Sequence, residues 1–126
     1  LKEKKDRVDD AIHATKAAVK EGIVPGGGVA LLNAANNIKQ KSDGTDIFIE
    51  AIKYPYKTIL ENAGLEYVPQ KGKGKGINVV TGKTVNMINE GIIDPLLVTK
   101  SALKNAVSVA STILSTDCVI SNMREE

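Results

Sequence analysis

The chain has 126 residues, 42% of them hydrophobic and 25% charged, which excludes collagen-like, mucin-like and wholly disordered classes and leaves room for one domain or part of one. Seventeen basic residues against fifteen acidic ones give a net charge of +2, too balanced to argue for a nucleic-acid surface. With one Phe, three Tyr and no Trp, a core must come from Ile, Leu, Val and Ala, which favours helix-on-helix packing.

The single cysteine, Cys118, excludes an internal disulfide and points to a reducing compartment. No apolar run reaches the length of a transmembrane helix, and the charged start Leu1-Lys2-Glu3-Lys4-Lys5-Asp6 does not read as a secretion signal. The chain lacks an initiator Met and opens in mid-helix by its pattern, so a fragment is expected.

From Lys2 to Glu21, Val8, Ala11, Ile12, Ala18 and Val19 keep the spacing of one helical face, with Asp6, Asp9, Asp10, Lys16 and Lys20 opposite. Gly22 suits the C-terminal stop and Pro25 lies just beyond. Gly26-Gly27-Gly28 then opens into a second helix from Val29, expected to fade near Lys41 before Ser42-Asp43-Gly44-Thr45. Asp46 is the expected cap of a third helix, which Pro55 should kink or break and Gly64 should close.

Residues 65–76, ending Lys71-Gly72-Lys73-Gly74-Lys75-Gly76, read as a mobile loop. A strand is expected at Ile77–Val80, and Thr81 is expected to cap a small helix through Val85, Met87 and Ile88. Asp94-Pro95 has the form of an N-cap followed by a first helical proline. The helix behind it is apolar on most sides, from Val98 to Leu114, and should be central. Thr116-Asp117 should end it before a short strand, Cys118–Ile120, and the charged tail Arg124-Glu125-Glu126.

Each candidate site carries a plain structural explanation beside the chemical one. Unpaired N–H groups at a glycine-rich helix start can cradle a nucleotide, but three glycines also suit a tight turn or close packing. The run has neither the Lys-Ser/Thr of a P-loop nor the G-x-G-x-x-G spacing of a dinucleotide site. Asp6, Asp9, Asp10 and His13 share one stripe, either a cation or general-base site or a solvated acidic face. No zinc motif accompanies His13. Asp94 suits a cap or a partner for sugar hydroxyls. The Lys-Gly run could hold phosphates, though a solvated loop explains it, and Cys118 reads as a small buried hydrophobe.

Taken together, these stretches resemble the group I chaperonins, the GroEL type. The resemblance is carried by residues 4–19 (Lys4-Lys5-Asp6-Arg7-Val8-Asp9-Asp10-Ala11-Ile12-His13 onward), Glu21-Gly22-Ile23-Val24-Pro25-Gly26-Gly27-Gly28-Val29-Ala30-Leu31 and Glu61-Asn62-Ala63-Gly64. Gly91-Ile92-Ile93-Asp94-Pro95, Val98-Thr99-Lys100-Ser101-Ala102-Leu103, Ser108-Val109-Ala110 and Thr116-Asp117-Cys118 complete it. Their order and spacing match the family's C-terminal quarter.

The resemblance implies a mainly α fold. Residues 1–21 would be the last helix of the intermediate domain, and 22–126 the C-terminal half of the ATP-binding equatorial domain, multihelical with short β-strands. It implies an ATP-hydrolysing folding machine of two stacked heptameric rings, acting on unfolded clients with a co-chaperonin of the GroES type, and no nucleic-acid or membrane partner. By residue, it gives Asp10 the positioning of the attacking water and sets Gly27 against the nucleotide. Asn78, Val79 and Val80 would border the adenine, where the family usually has Asn-Ala-Ala, and Asp94 would hold the ribose hydroxyls. The cofactors implied are ATP or ADP with Mg²⁺, whose ligands and phosphate loop belong to the N-terminal half, so this chain alone should be inactive and supply no metal ligand. The strand at 118–120 would pair with a neighbouring subunit. A bacterial cytoplasm is the expected location, with the mitochondrial matrix as the alternative. The rival reading from the residues themselves is a non-catalytic helical interaction module.

Overall fold

A computed structural model describes the backbone of residues 1–124 and the side chains of residues 1–116. The chain divides into two compact units, one made of Leu1–Gly22 with the chain from Pro95 onward, the other of Ile23–Asp94.

In the first unit, α1 spans Lys2–Glu21, as its apolar spacing predicts, and Gly22 ends it in a positive-φ conformation (φ 90°) that favours glycine. The second helix of this unit, numbered α4 in chain order, spans Leu96–Arg124. Its root is tied to the end of α1, with Leu96 N–H donating to the Gly22 carbonyl at 3.0 Å and Lys100 Nζ 2.7 Å from Glu21 Oε2.

Three expectations fail in α4. The helix does not stop at Thr116-Asp117, and Cys118–Ile120 is helix rather than strand. Thr112, Ser115 and Thr116 each donate to the carbonyl four residues back, so their hydroxyls are satisfied within the helix and do not compete for its N–H groups. Nor is the helix central, since none of its described residues is buried and Val107, Val109, Ile113 and Leu114 are exposed. An apolar circumference needs partners on every side, and this unit offers only α1. The Cys118 side chain and residues 125–126 lie outside the described residues.

The second unit has β1 (Ile23–Pro25) paired with β4 (Ile93–Pro95), helices α2 (Val29–Asn37) and α3 (Asp43–Asn62), and an antiparallel hairpin of β2 (Lys75–Asn78) and β3 (Lys83–Asn86). Its core is Val29, Leu32, Tyr56, Leu60 and Met87, flanked by Leu65, Tyr67, Ile77, Val85 and Ile92. Tyr56 is the largest of these. Burial pushes its hydroxyl pKa up, and its Oη lacks a hydrogen bond of good geometry.

The second helix ends at Asn37, four residues before Lys41, where Ile38 turns extended. Ser42 rather than Asp46 caps α3, its Oγ accepting from Thr45 N–H at 3.1 Å. Pro55 does not break that helix: Ile52, Tyr56 and Leu60, one turn apart, hold both halves on the same core.

The small helix expected from Thr81 is instead β3. Asn78 accepts Val80 N–H on its Oδ1 at 3.0 Å, its carbonyl accepts Gly82 N–H at 2.7 Å, and Gly82 takes φ 71°. These bonds close a tight turn, and the β-branched Thr84 and Val85 then favour a strand.

The Lys-Gly run is ordered too. Gly74 and Gly76 are buried and Gly72 is half-buried, while Lys71, Lys73 and Lys75 are exposed. Residues 72–74 form a turn, with Gly74 at φ 72° and Lys75 N–H donating to the Gly72 carbonyl at 3.2 Å, and extended chain begins only at Lys75.

Candidate functional site

The glycine turn joins β1 to α2. Gly26 is buried and donates to the Ile92 carbonyl at 2.8 Å, and a Cβ on it would lie 3.1 Å from the Ile92 backbone. Gly27 and Gly28 take φ 65° and 80°, and a Cβ at Gly28 would lie 2.7 Å from Tyr56 N in α3. Close packing and left-handed backbone thus explain much of the triplet by structure alone. What packing leaves over is specific. The N–H groups of Gly27 and Gly28 donate to no group among the described residues, and they stand at the positive end of α2.

Met87 is the residue that local sequence reasoning misses. It is 2% exposed, and its Cε sits where a Cβ on Gly27 would come within 2.9 Å. The same side chain, with Val29, fills the space beside Gly76 at the root of the hairpin. One flexible thioether therefore packs the glycine turn against the strand that leads to Asn78. Small residues at 27 and 76 are the only trace this leaves in the sequence.

Asn78 is half-buried, its Oδ1 committed to Val80 N–H, and it ends β2. Val79 and Val80 form the hairpin turn and are 41% and 90% exposed, an apolar tip with little protein cover.

Asp94 is not the N-cap of α4. It lies within β4, the helix starts at Leu96, and the first helical N–H is already taken by the Gly22 carbonyl. The Asp94 carboxylate, half-buried, accepts no hydrogen bond among the described residues, so its acceptor capacity remains for a ligand. The pairing of β1 with β4, together with the Gly26–Ile92 bond, ties the start of the glycine turn to the strand that holds Asp94.

Asp10 belongs to the other unit. It is exposed on α1 with Asp6, Asp9 and His13, and makes no ion pair or hydrogen bond among the described residues. The described residues hold no group of three or more His, Cys, Asp or Glu arranged for a metal ion. A cleft of about 250 Å³, lined by Glu50, Lys53, Tyr54, Lys57, Tyr67 and Pro69, contains none of the candidate residues. Among the described residues no helix is long and apolar enough to cross a membrane.

A model of the TCP-1/cpn60 chaperonin family matches residues 1–124. Among solved structures, the crystal structure of a group III chaperonin in the open state is similar over 79% of this chain, with 31% sequence identity and a TM-score of 0.66. The matched region is 24% of that protein, so the chain spans about a quarter of its length. The shared fold is the mainly α one expected from the sequence. With a family match along almost the whole sequence and a common fold at this identity, the chain belongs to the TCP-1/cpn60 chaperonin family.

Proposed function

We propose that this chain is the C-terminal quarter of a group I subunit of an ATP-driven protein-folding machine, and that it supplies the base and sugar side of the nucleotide site together with the water-positioning Asp10. Residues 1–21 form the last helix of the intermediate domain in this reading, and the remainder the second half of the equatorial domain. The subunit works in two stacked heptameric rings with a co-chaperonin and unfolded clients. The observation that carries it is the pairing of β1, which leads into the Gly27 turn, with β4, which holds Asp94, in a chain of this family.

The roles follow from what each group can donate or accept. Gly27 gives backbone room and an unpaired N–H at a helix's positive end. Asp94 offers two carboxylate oxygens to a pair of ribose hydroxyls, and the exposed Val79 and Val80 give the adenine ring an apolar surface. Asp10 accepts a proton from, and orients, the water that attacks the terminal phosphate. Mg²⁺, when bound, neutralises charge on the transferring phosphoryl group. Its ligands and the phosphate loop come from outside this chain, and the 126 residues alone should show no turnover.

Asp94→Ala tests the sugar contact. Because Asp94 caps nothing, thermal stability should change by no more than about 0.5 kcal/mol. ATP affinity of the full-length subunit should fall roughly ten- to hundredfold, the loss of a charged hydrogen bond worth about 1.5–3 kcal/mol. Unchanged affinity in calorimetric titration would remove Asp94 from the site.

A further inference from the structure

The Lys-Gly segment has a use that nucleotide binding does not absorb. Lys71 and Lys73 line a cleft of about 80 Å³ with Asn33, Asn36 and Asn37 from the end of α2. We propose that this cleft is a binding site for a phosphate-type oxyanion, separate from the nucleotide site and sharing no residue with it.

Every group lining the cleft can donate a hydrogen bond, and none is a carboxylate. Neither lysine forms an ion pair among the described residues, and the Asn33 and Asn37 amides have no partner there. Asn36 spends one N–H on the Gln70 carbonyl at 3.1 Å, which ties the start of the Lys-Gly segment to α2. The size of the cleft admits a tetrahedral oxyanion.

The backbone that carries the lysines is shaped by a glycine turn. Val29 and Met87 fill the space beside Gly76 at the start of β2, and just before it Gly74, at φ 72°, sits in a turn in which Lys75 N–H donates to the Gly72 carbonyl at 3.2 Å. This turn and the Asn36–Gln70 bond hold the backbone on either side of Lys71 and Lys73, and some of the ordering cost of binding is met by the fold.

One local effect opposes the anion. The cleft lies at the C-terminal end of α2, where the helix dipole places about half a negative charge. Two whole positive charges stand against it, so the net field in the cleft favours an anion. The alternative, in which the lysines only complement that dipole, predicts no saturable binding.

The test is an amide spectrum of the ¹⁵N-labelled full-length subunit titrated with orthophosphate at constant ionic strength. The Asn33, Asn36 and Asn37 side-chain amides and the main-chain signals of residues 71–75 should shift and saturate. Lys71→Gln combined with Lys73→Gln should weaken binding at least about tenfold, through loss of two charged donors. Signals of Tyr56 and Leu60 at their original positions report an intact core in that variant. Lys2→Gln combined with Lys4→Gln removes the same charge elsewhere and should leave the affinity unchanged. A parallel titration with glycerol 3-phosphate identifies the source: saturation by both probes means that the site reads a terminal phosphate group, and saturation by orthophosphate alone means the free ion. Shifts that rise linearly without saturating, or an equal loss in the Lys2/Lys4 control, would overturn the proposal.

Discussion

Asp10→Ala in the full-length subunit is expected to slow ATP hydrolysis by about 10²–10⁴-fold, the usual cost of removing a positioned general base. ATP affinity should stay within about twofold, because a group that acts on the attacking water stabilises the transition state and not the bound substrate. The variant should fold normally. Asp10 is exposed on α1 without a partner among the described residues, and alanine is the better helix former at such a position. Steady-state turnover together with ATP titration separates the two effects. Turnover equal to that of the parent protein would return Asp10 to the solvated acidic face that its neighbours Asp6 and Asp9 suggest.

Gly28→Ala should be the most damaging single methyl in the second unit. An L residue held at φ 80° costs about 1–3 kcal/mol, and the added Cβ would meet Tyr56 N and Cα at 2.7 and 2.8 Å. Overpacking against backbone, which cannot swing aside as a side chain does, adds about 1–3 kcal/mol. The sum, about 2–6 kcal/mol, is comparable with the whole stability of a small domain. Gly82→Ala provides the contrast, because Gly82 has φ 71° but open space around it. It should lose only the conformational part. Urea unfolding of the two variants measures the difference, and equal losses would mean that Tyr56 does not press on the turn.

The parts of this fold that local chemistry decides were legible in the sequence. Helix α1 follows from one apolar stripe and a glycine stop, and both are properties of consecutive residues. The glycine turn was equally plain, though its two meanings were not separable. Gly28 is held by Tyr56, twenty-eight positions away, and no local pattern reports such a contact.

Two of the misreadings share a cause. Thr81 resembles a cap when read forward, yet Asn78 had already closed the turn behind it. Asp94-Pro95 resembles a helix start, but pairing with β1 keeps both residues in a strand. Thr116-Asp117 suggests a break, yet the Thr116 hydroxyl bonds to the carbonyl four residues back inside a helix that continues. In the first two cases a hydrogen bond to a specific partner outweighed a propensity worth only tenths of a kcal/mol. In the Lys-Gly run Gly74 supplies a positive-φ turn and Gly76 a close approach to Val29 and Met87, and composition alone does not separate either from a flexible linker.

The candidate site divides along the same line. Gly27 and Asp94 were visible as residue types in suggestive places, and the link between their strands came only from the β1–β4 pairing. Met87, which packs the turn against the hairpin root, had no local signature.

The central claim is that this chain borders the adenine, and photolabelling of the full-length subunit with 8-azido-ATP tests it most directly. The reactive group sits on the base, so the account predicts a labelled peptide containing Asn78, Val79 and Val80, with labelling suppressed by excess ATP. Label that ATP suppresses but that falls wholly outside these 126 residues would contradict it.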